Sequence, residues 1–215
     1  MSETLTAFKV QEHGFRFINQ FELSFPSTIP LPIFEQVDLK KIVYGLCGGM
    51  CFGALDYFYA HAEVPNYSQP QNLPFNYELY LWGRQIDSLI PLTLPRVIEW
   101  VMRDDGDIAS RCARFEVPKL RRALERGRPA VLALVRAKQL QSITENHQVL
   151  ALGYDFDDST RQMKIYLYEP NYPGLMPTLD LNVSRPSKGI QISQSTGEPL
   201  RGFFVIEYEA EPPPA

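Results

Sequence analysis

"YGLCGGMCFGALDYF", residues 44–58, sets a glycine-flanked pair of cysteines at the entrance to an apolar run. From Met50 to about Ala62, Cys51, Leu55, Phe58 and Ala62 recur at three- and four-residue steps, which predicts a helix with one buried face. A thiol at the start of such a helix sits where the dipole favours its anion. Glycines beside it let the backbone approach a ligand, and free N–H groups there can hold a developing oxyanion.

Downstream, "NYELYLWGRQIDSL" (76–89) and "TLPRVIEWVMRD" (93–104) show helical periodicity, with Pro95 tolerable in a first turn. "PKLRRALERG" (118–127) opens on proline and closes on glycine, as a short helix does. After Gly127 the period changes. "PAVLALVRA" (129–137), "HQVLALGYDFD" (147–157), "RQMKIYLYEP" (161–170), "PTLDLNVS" (177–184) and "FFVIEYEA" (203–210) read as strands of an antiparallel sheet, and polar "YDFDDSTRQM" reads as a hairpin turn. Asp155, Asp157 and Asp158 lack the glycine and closing glutamate of a calcium loop and fit a solvated hairpin tip. Upstream, alternate Phe15, Phe17, Phe21, Leu23 and Phe25 predict an extended strand over residues 13–25, followed by the proline-rich "FPSTIPLPIF". "EPPPA" reads as a frayed tail.

The expected class is α+β in a single domain over residues 1–215: an extended lead-in to about 43, a helical lobe over 44–127 and a sheet lobe over 128–210. A formal charge of −4 and a pI near 5.5 argue against nucleic-acid binding, since the basic "KLRRALERGR" alternates with apolar residues like a solvated helix face. No segment reaches the roughly 18 apolar residues of a membrane span, and the N-terminus lacks a signal-peptide pattern. An odd cysteine count of three fits a reducing compartment, and a cytoplasmic location is expected. The pair is spaced C-x3-C, which argues against structural zinc, and no cofactor is implied.

Of the three histidines, His13 precedes the aromatic stretch and His61 ends the cysteine helix. His147 heads an apolar strand, from which its ring can project into a cleft. "YLYEPNYPG" supplies Glu169 and Asn171 at the end of the next strand, and in a hairpin the start of one strand faces the end of the other. A cysteine, a histidine and a group that orients the imidazole can therefore converge.

The order of a cysteine at a helix start, "GRPAVLALV", "NHQVLALGYD" and "IYLYEPNYPG" resembles the papain-like cysteine peptidase superfamily, in particular the peptidases that process double-glycine leader peptides. The resemblance covers roughly residues 44–175 as an ordered pattern. It implies a papain-like fold, a Cys47–His147–Glu169 triad with Asn171 in reserve, and hydrolysis or acyl transfer on a peptide or acyl substrate. The second cysteine stays open: "CGGMCFGA" also resembles a papain-like start in which Cys51 is active, although Cys51 aligns with the side expected to be buried. Those enzymes carry a glutamine six residues before the nucleophile, where this chain has Lys41 (from Cys47) or Gly45 (from Cys51), so Asn19, Gln20 or Tyr44 is the candidate substitute. The rival expectation is a catalytically inactive papain-like fold used as a binding or scaffold protein.

Overall fold

The structure, a computed structural model, describes residues 2–21 and 45–214. It is an α+β arrangement of helices packed on a mainly C-terminal antiparallel sheet. The helices are α1 (Val10–His13), α2 (Cys47–Ala60), α3 (Phe75–Asp87), α4 (Thr93–Val101), α5 (Asp105–Arg111) and α6 (Val117–Leu124). The strands are β1 (Ser2–Leu5), β2 (Ala130–Val135), β3 (His147–Asp157), β4 (Gln162–Tyr168), β5 (Thr178–Asn182), β6 (Gln191–Gln194) and β7 (Gly202–Val205).

The sheet order is β6-β5-β4-β3-β2-β7, and every pairing is antiparallel. The long strand β3 organises it. Its first half pairs with β2, its second half with β1, and β4 runs along its other edge. The turn between β3 and β4 is a polar tip in which Asp157 accepts hydrogen bonds from Ser159 and Thr160.

Helix α2 packs between β3 and α3. It is not the one-faced helix its spacing predicts, because every residue from Gly48 to Tyr57 is buried. It also begins at Cys47, three residues before Met50. Two glycines permit this. A Cβ at Gly49 would lie 2.2 Å from the Leu81 carbonyl oxygen, and one at Gly48 would lie 2.0 Å from Ser88 Oγ, so α2 and α3 meet at backbone distance.

Other expectations need correction. Residues 14–21 are not a strand: Phe15 N–H donates to the Tyr168 hydroxyl at 3.4 Å and Asn19 N–H to Pro170 O at 3.1 Å, so this backbone bonds to β4 and the turn after it. Phe15, Phe17 and Phe21 are buried core residues, while Leu23, Phe25 and "FPSTIPLPIF" lie outside the described residues. The segment read as an extended lead-in carries β1 and α1. The final strand stops at Val205, and the tail after it is held down. Tyr208 Oη and Glu211 N–H donate to the buried Asp56, Arg84 pairs with Asp56 at 2.7 Å, and Tyr57 Oη donates to Pro214 O at 2.8 Å.

The edge strand β7 is closed by side chains. Residues Cys112–Glu116 form a wide π-helical turn into α6 that turns Cys112 and Glu116 inward. Phe203 N–H donates to Cys112 Sγ at 3.1 Å, Val205 N–H donates to Glu116 Oε2 at 2.9 Å, and Val205 O accepts from Arg96 at 3.3 Å. An edge finished in this way offers no ladder to another chain. No described helix is long and apolar enough to cross a membrane.

The close approach of α2 to α3 makes Gly49→Ala a sharp probe. The backbone of Leu81 has to give way, and the variant is expected to lose about 1–3 kcal/mol of unfolding free energy in urea titrations.

Candidate active site

The register of β3 and β4, in which Leu150 faces Tyr168, brings the start of β3 beside the residues that follow β4. His147 is the first residue of β3 and Glu169 the first after β4. His147 Nε2 lies 2.5 Å from Glu169 Oε1. His147 is 7% exposed and Glu169 0%, so both are taken out of water together. A buried carboxylate needs its lone pairs met. Here Oε1 also accepts from Asn171 N–H at 3.0 Å, and Oε2 accepts from Gln194 Nε2 at 3.3 Å.

Beside the imidazole lies Cys47, the partly exposed first residue of α2. The His147 side chain and the Gln148 backbone are near enough to its sulfur to favour the thiolate. Burial acts to raise the Cys47 pKa, but the His147 charge and the polar influence of the imidazole and the Gln148 backbone outweigh it against the opposing Glu169 charge, and the pKa is lowered. For His147, burial favours the neutral ring, yet the charges of Glu169 and then Cys47 push its pKa up to about 10. Both shifts favour a thiolate–imidazolium pair.

Cys51 is one turn deeper and fully buried. Burial, then the charges of Cys47 and Glu169, push its pKa well above the ordinary thiol value. Cys112 is likewise pushed up to about 12 by burial and serves the β7 edge. The geometry therefore joins Cys47, His147 and Glu169, and leaves Cys51 as a small core side chain. Asn171, the reserve partner of the imidazole, bonds elsewhere: its side chain accepts from Asn19 Nδ2 at 3.1 Å while its backbone supports Glu169.

Asn19 has a different place from the one its candidacy as an oxyanion donor implies. Its Oδ1 accepts from Leu46 N–H at 2.6 Å, so one side chain ties the residue before Cys47 to the turn that carries Glu169. Gln20 donates its own N–H to Ile18 O, and Tyr44 lies outside the described residues. His13 packs against Phe8 and Phe58, and His61 caps the far end of α2 in a left-handed conformation, φ 54°.

Several supporting residues carry no motif. Gln85 Oε1 accepts from Gly49 N–H at 3.0 Å, meeting one of the donors that a helix start leaves unpaired. Gln148 Nε2 donates to Ser88 Oγ at 3.2 Å, and Ser88 Oγ donates to Gln85 O at 2.8 Å. The available signal is a polar side chain on a helix face or strand otherwise apolar, as with Gln85 and Gln148. For Gln194, in "IQISQSTG", no pattern marks it. Among the described residues no group of three or more His, Cys, Asp or Glu is placed to hold a metal ion. No protein-family model matches the chain, and neither does any curated protein or solved structure.

The raised His147 pKa carries a stability consequence. A group with its folded pKa above the unfolded value, about 6.5, contributes stability that is complete below that value and disappears as pH climbs through the folded one, about 10. The unfolding free-energy difference between the wild type and Glu169→Gln, from urea titrations across this range, is expected to narrow toward the alkaline end.

Proposed function

We propose that this chain is a papain-like, cysteine-dependent hydrolase or acyl transferase acting on an amide or ester bond. The observation that carries the reading is the convergence of Cys47, at the amino end of a 14-residue helix, with a His147 ring held by the buried Glu169. A thiolate beside an imidazolium is a nucleophile with its proton donor already in position.

In the proposed sequence, the Cys47 thiolate attacks the acyl carbonyl and forms a carbon–sulfur bond. The carbonyl π pair moves onto oxygen. The amide N–H groups of Cys47 and Gly48 are the proposed donors to that oxyanion, since those of Leu46, Gly49 and Met50 are engaged by Asn19, Gln85 and the Leu46 carbonyl. Collapse of the tetrahedral species breaks the bond to the leaving amine or alcohol, which takes the proton from His147 and leaves a thioester. Water or another nucleophile then gives a proton to His147 and attacks the thioester. The product departs and Cys47 returns as thiolate beside the protonated ring. Glu169 keeps the ring oriented and balances its positive charge throughout. A peptide or other acyl compound is the proposed substrate class.

The test is thiol reactivity. Iodoacetamide is expected to label Cys47 far faster than the buried Cys51 and Cys112, with reactivity persisting well below pH 8.5. An unassisted thiol at pH 6 is only about 0.3% ionised, so His147→Ala is expected to slow labelling of Cys47 roughly ten- to hundredfold there, after allowance for the lower intrinsic nucleophilicity of a low-pKa thiolate. Cys47 titrating near 8.5 in both proteins would overturn the reading and favour a binding or scaffold role.

A further inference from the structure

Gln194 ends β6, an outer strand in which Gln191 and Ser193 are exposed and Ile192 half-buried; Gln194 itself is 5% exposed. A buried glutamine has an acceptor and a donor end to satisfy, and an apolar side chain in the same place would avoid that cost. Both ends are used. Gln194 Nε2 donates to Glu169 Oε2 at 3.3 Å, and Gln194 Oε1 accepts from Arg136 Nη2 at 2.8 Å. Arg136, the residue after β2, is itself fixed at the backbone: its N–H donates to Asn146 Oδ1 at 2.9 Å, and Asn146 directly precedes His147. A guanidinium thus stands one amide away from the carboxylate, on the side opposite the imidazole.

We infer that Gln194, polarised by Arg136, is a positioning residue that holds the second oxygen of Glu169 so that the first stays on His147. The inference rests on the reading of Cys47 and His147 as a reactive pair. A cation bonded to an amide oxygen draws density from the amide and strengthens its N–H donor. The chain of bonds therefore runs Arg136, Gln194, Glu169, His147, with Cys47 beside the ring. The other titratable groups around the carboxylate are Cys51 from α2, Tyr168 from β4 and Tyr172 from the following turn, with Glu198 beyond it, bonded to the Tyr172 hydroxyl at 2.9 Å. Of all these groups only His147 and, through Gln194, Arg136 bring positive charge. Without the Gln194 donor, Glu169 keeps an unpartnered buried oxygen and its carboxylate is free to turn, which weakens its hold on the ring. The imidazolium then supports the thiolate less.

The experiment is the pH profile of Cys47 alkylation by iodoacetamide in the full chain, for wild type, His147→Ala, Gln194→Met and Arg136→Met. Gln194→Met keeps the length and removes the donor. Its acid limb is expected to move to higher pH by about one unit, a tenfold loss of labelling on that limb. Arg136→Met leaves the glutamine in place and is expected to move the limb the same way by less; its partly exposed site keeps the test available should Gln194→Met fail to fold. A merely structural role would lower the midpoint of thermal unfolding and leave the limb where it is. Wild-type reactivity that depends on His147 while both other variants superimpose on wild type overturns the positioning role alone. Wild-type labelling no faster than that of His147→Ala overturns the reactive pair and this role with it.

Discussion

The contact between His147 and Glu169 joins the ends of two neighbouring strands with a pair of groups that water would otherwise solvate. Taking such a pair out of water is expensive unless every remaining lone pair is met, and removal of one partner leaves an uncompensated charge. The surroundings are arranged accordingly: Glu169 receives the imidazole, the Asn171 amide and the Gln194 side chain. The Cys47 sulfur lies beside the same ring. The low thiol pKa and the high imidazole pKa are two faces of that single placement.

The sulfur has to be delivered as accurately as the ring. Glycines at 48 and 49 let α2 press on α3 at backbone distance, and Gln85, Ser88 and Gln148 supply polar partners at the contact. Asn19 then clamps the residue before the helix to the turn after β4. The nucleophile candidate is thereby tied to the same turn that carries the acid, although the two lie far apart in the chain.

The rest of the architecture closes the β7 edge and anchors the tail. The π-helical turn before α6 brings Cys112 and Glu116 onto β7, and the buried Asp56 gathers Arg84, Tyr80, Tyr208 and the Glu211 amide. Both stop the chain from offering loose backbone that would compete for hydrogen bonds.

Read alone, the sequence was sufficient for the α+β class, for most of the helices and strands of the second half, and for the pairing of His147 with Glu169 across neighbouring strand ends. Each rests on short-range signals: periodicity of apolar residues, glycine and proline at boundaries, and a hairpin that returns a strand end to its neighbour's start. It misled at residues 14–21, where alternate phenylalanines imitate a strand but fill a core, and at the tail, where prolines suggest fraying and Asp56 supplies the anchor. Only the tertiary structure separated Cys47 from Cys51, since both sit on one helix and what distinguishes them is depth. Only it brought in Arg136 and Gln194 and gave Asn19, expected as an oxyanion donor, its place as a clamp, because the value of a lone polar side chain lies in the partner it meets, and that partner arrives by packing across strands and helices that no local pattern encodes.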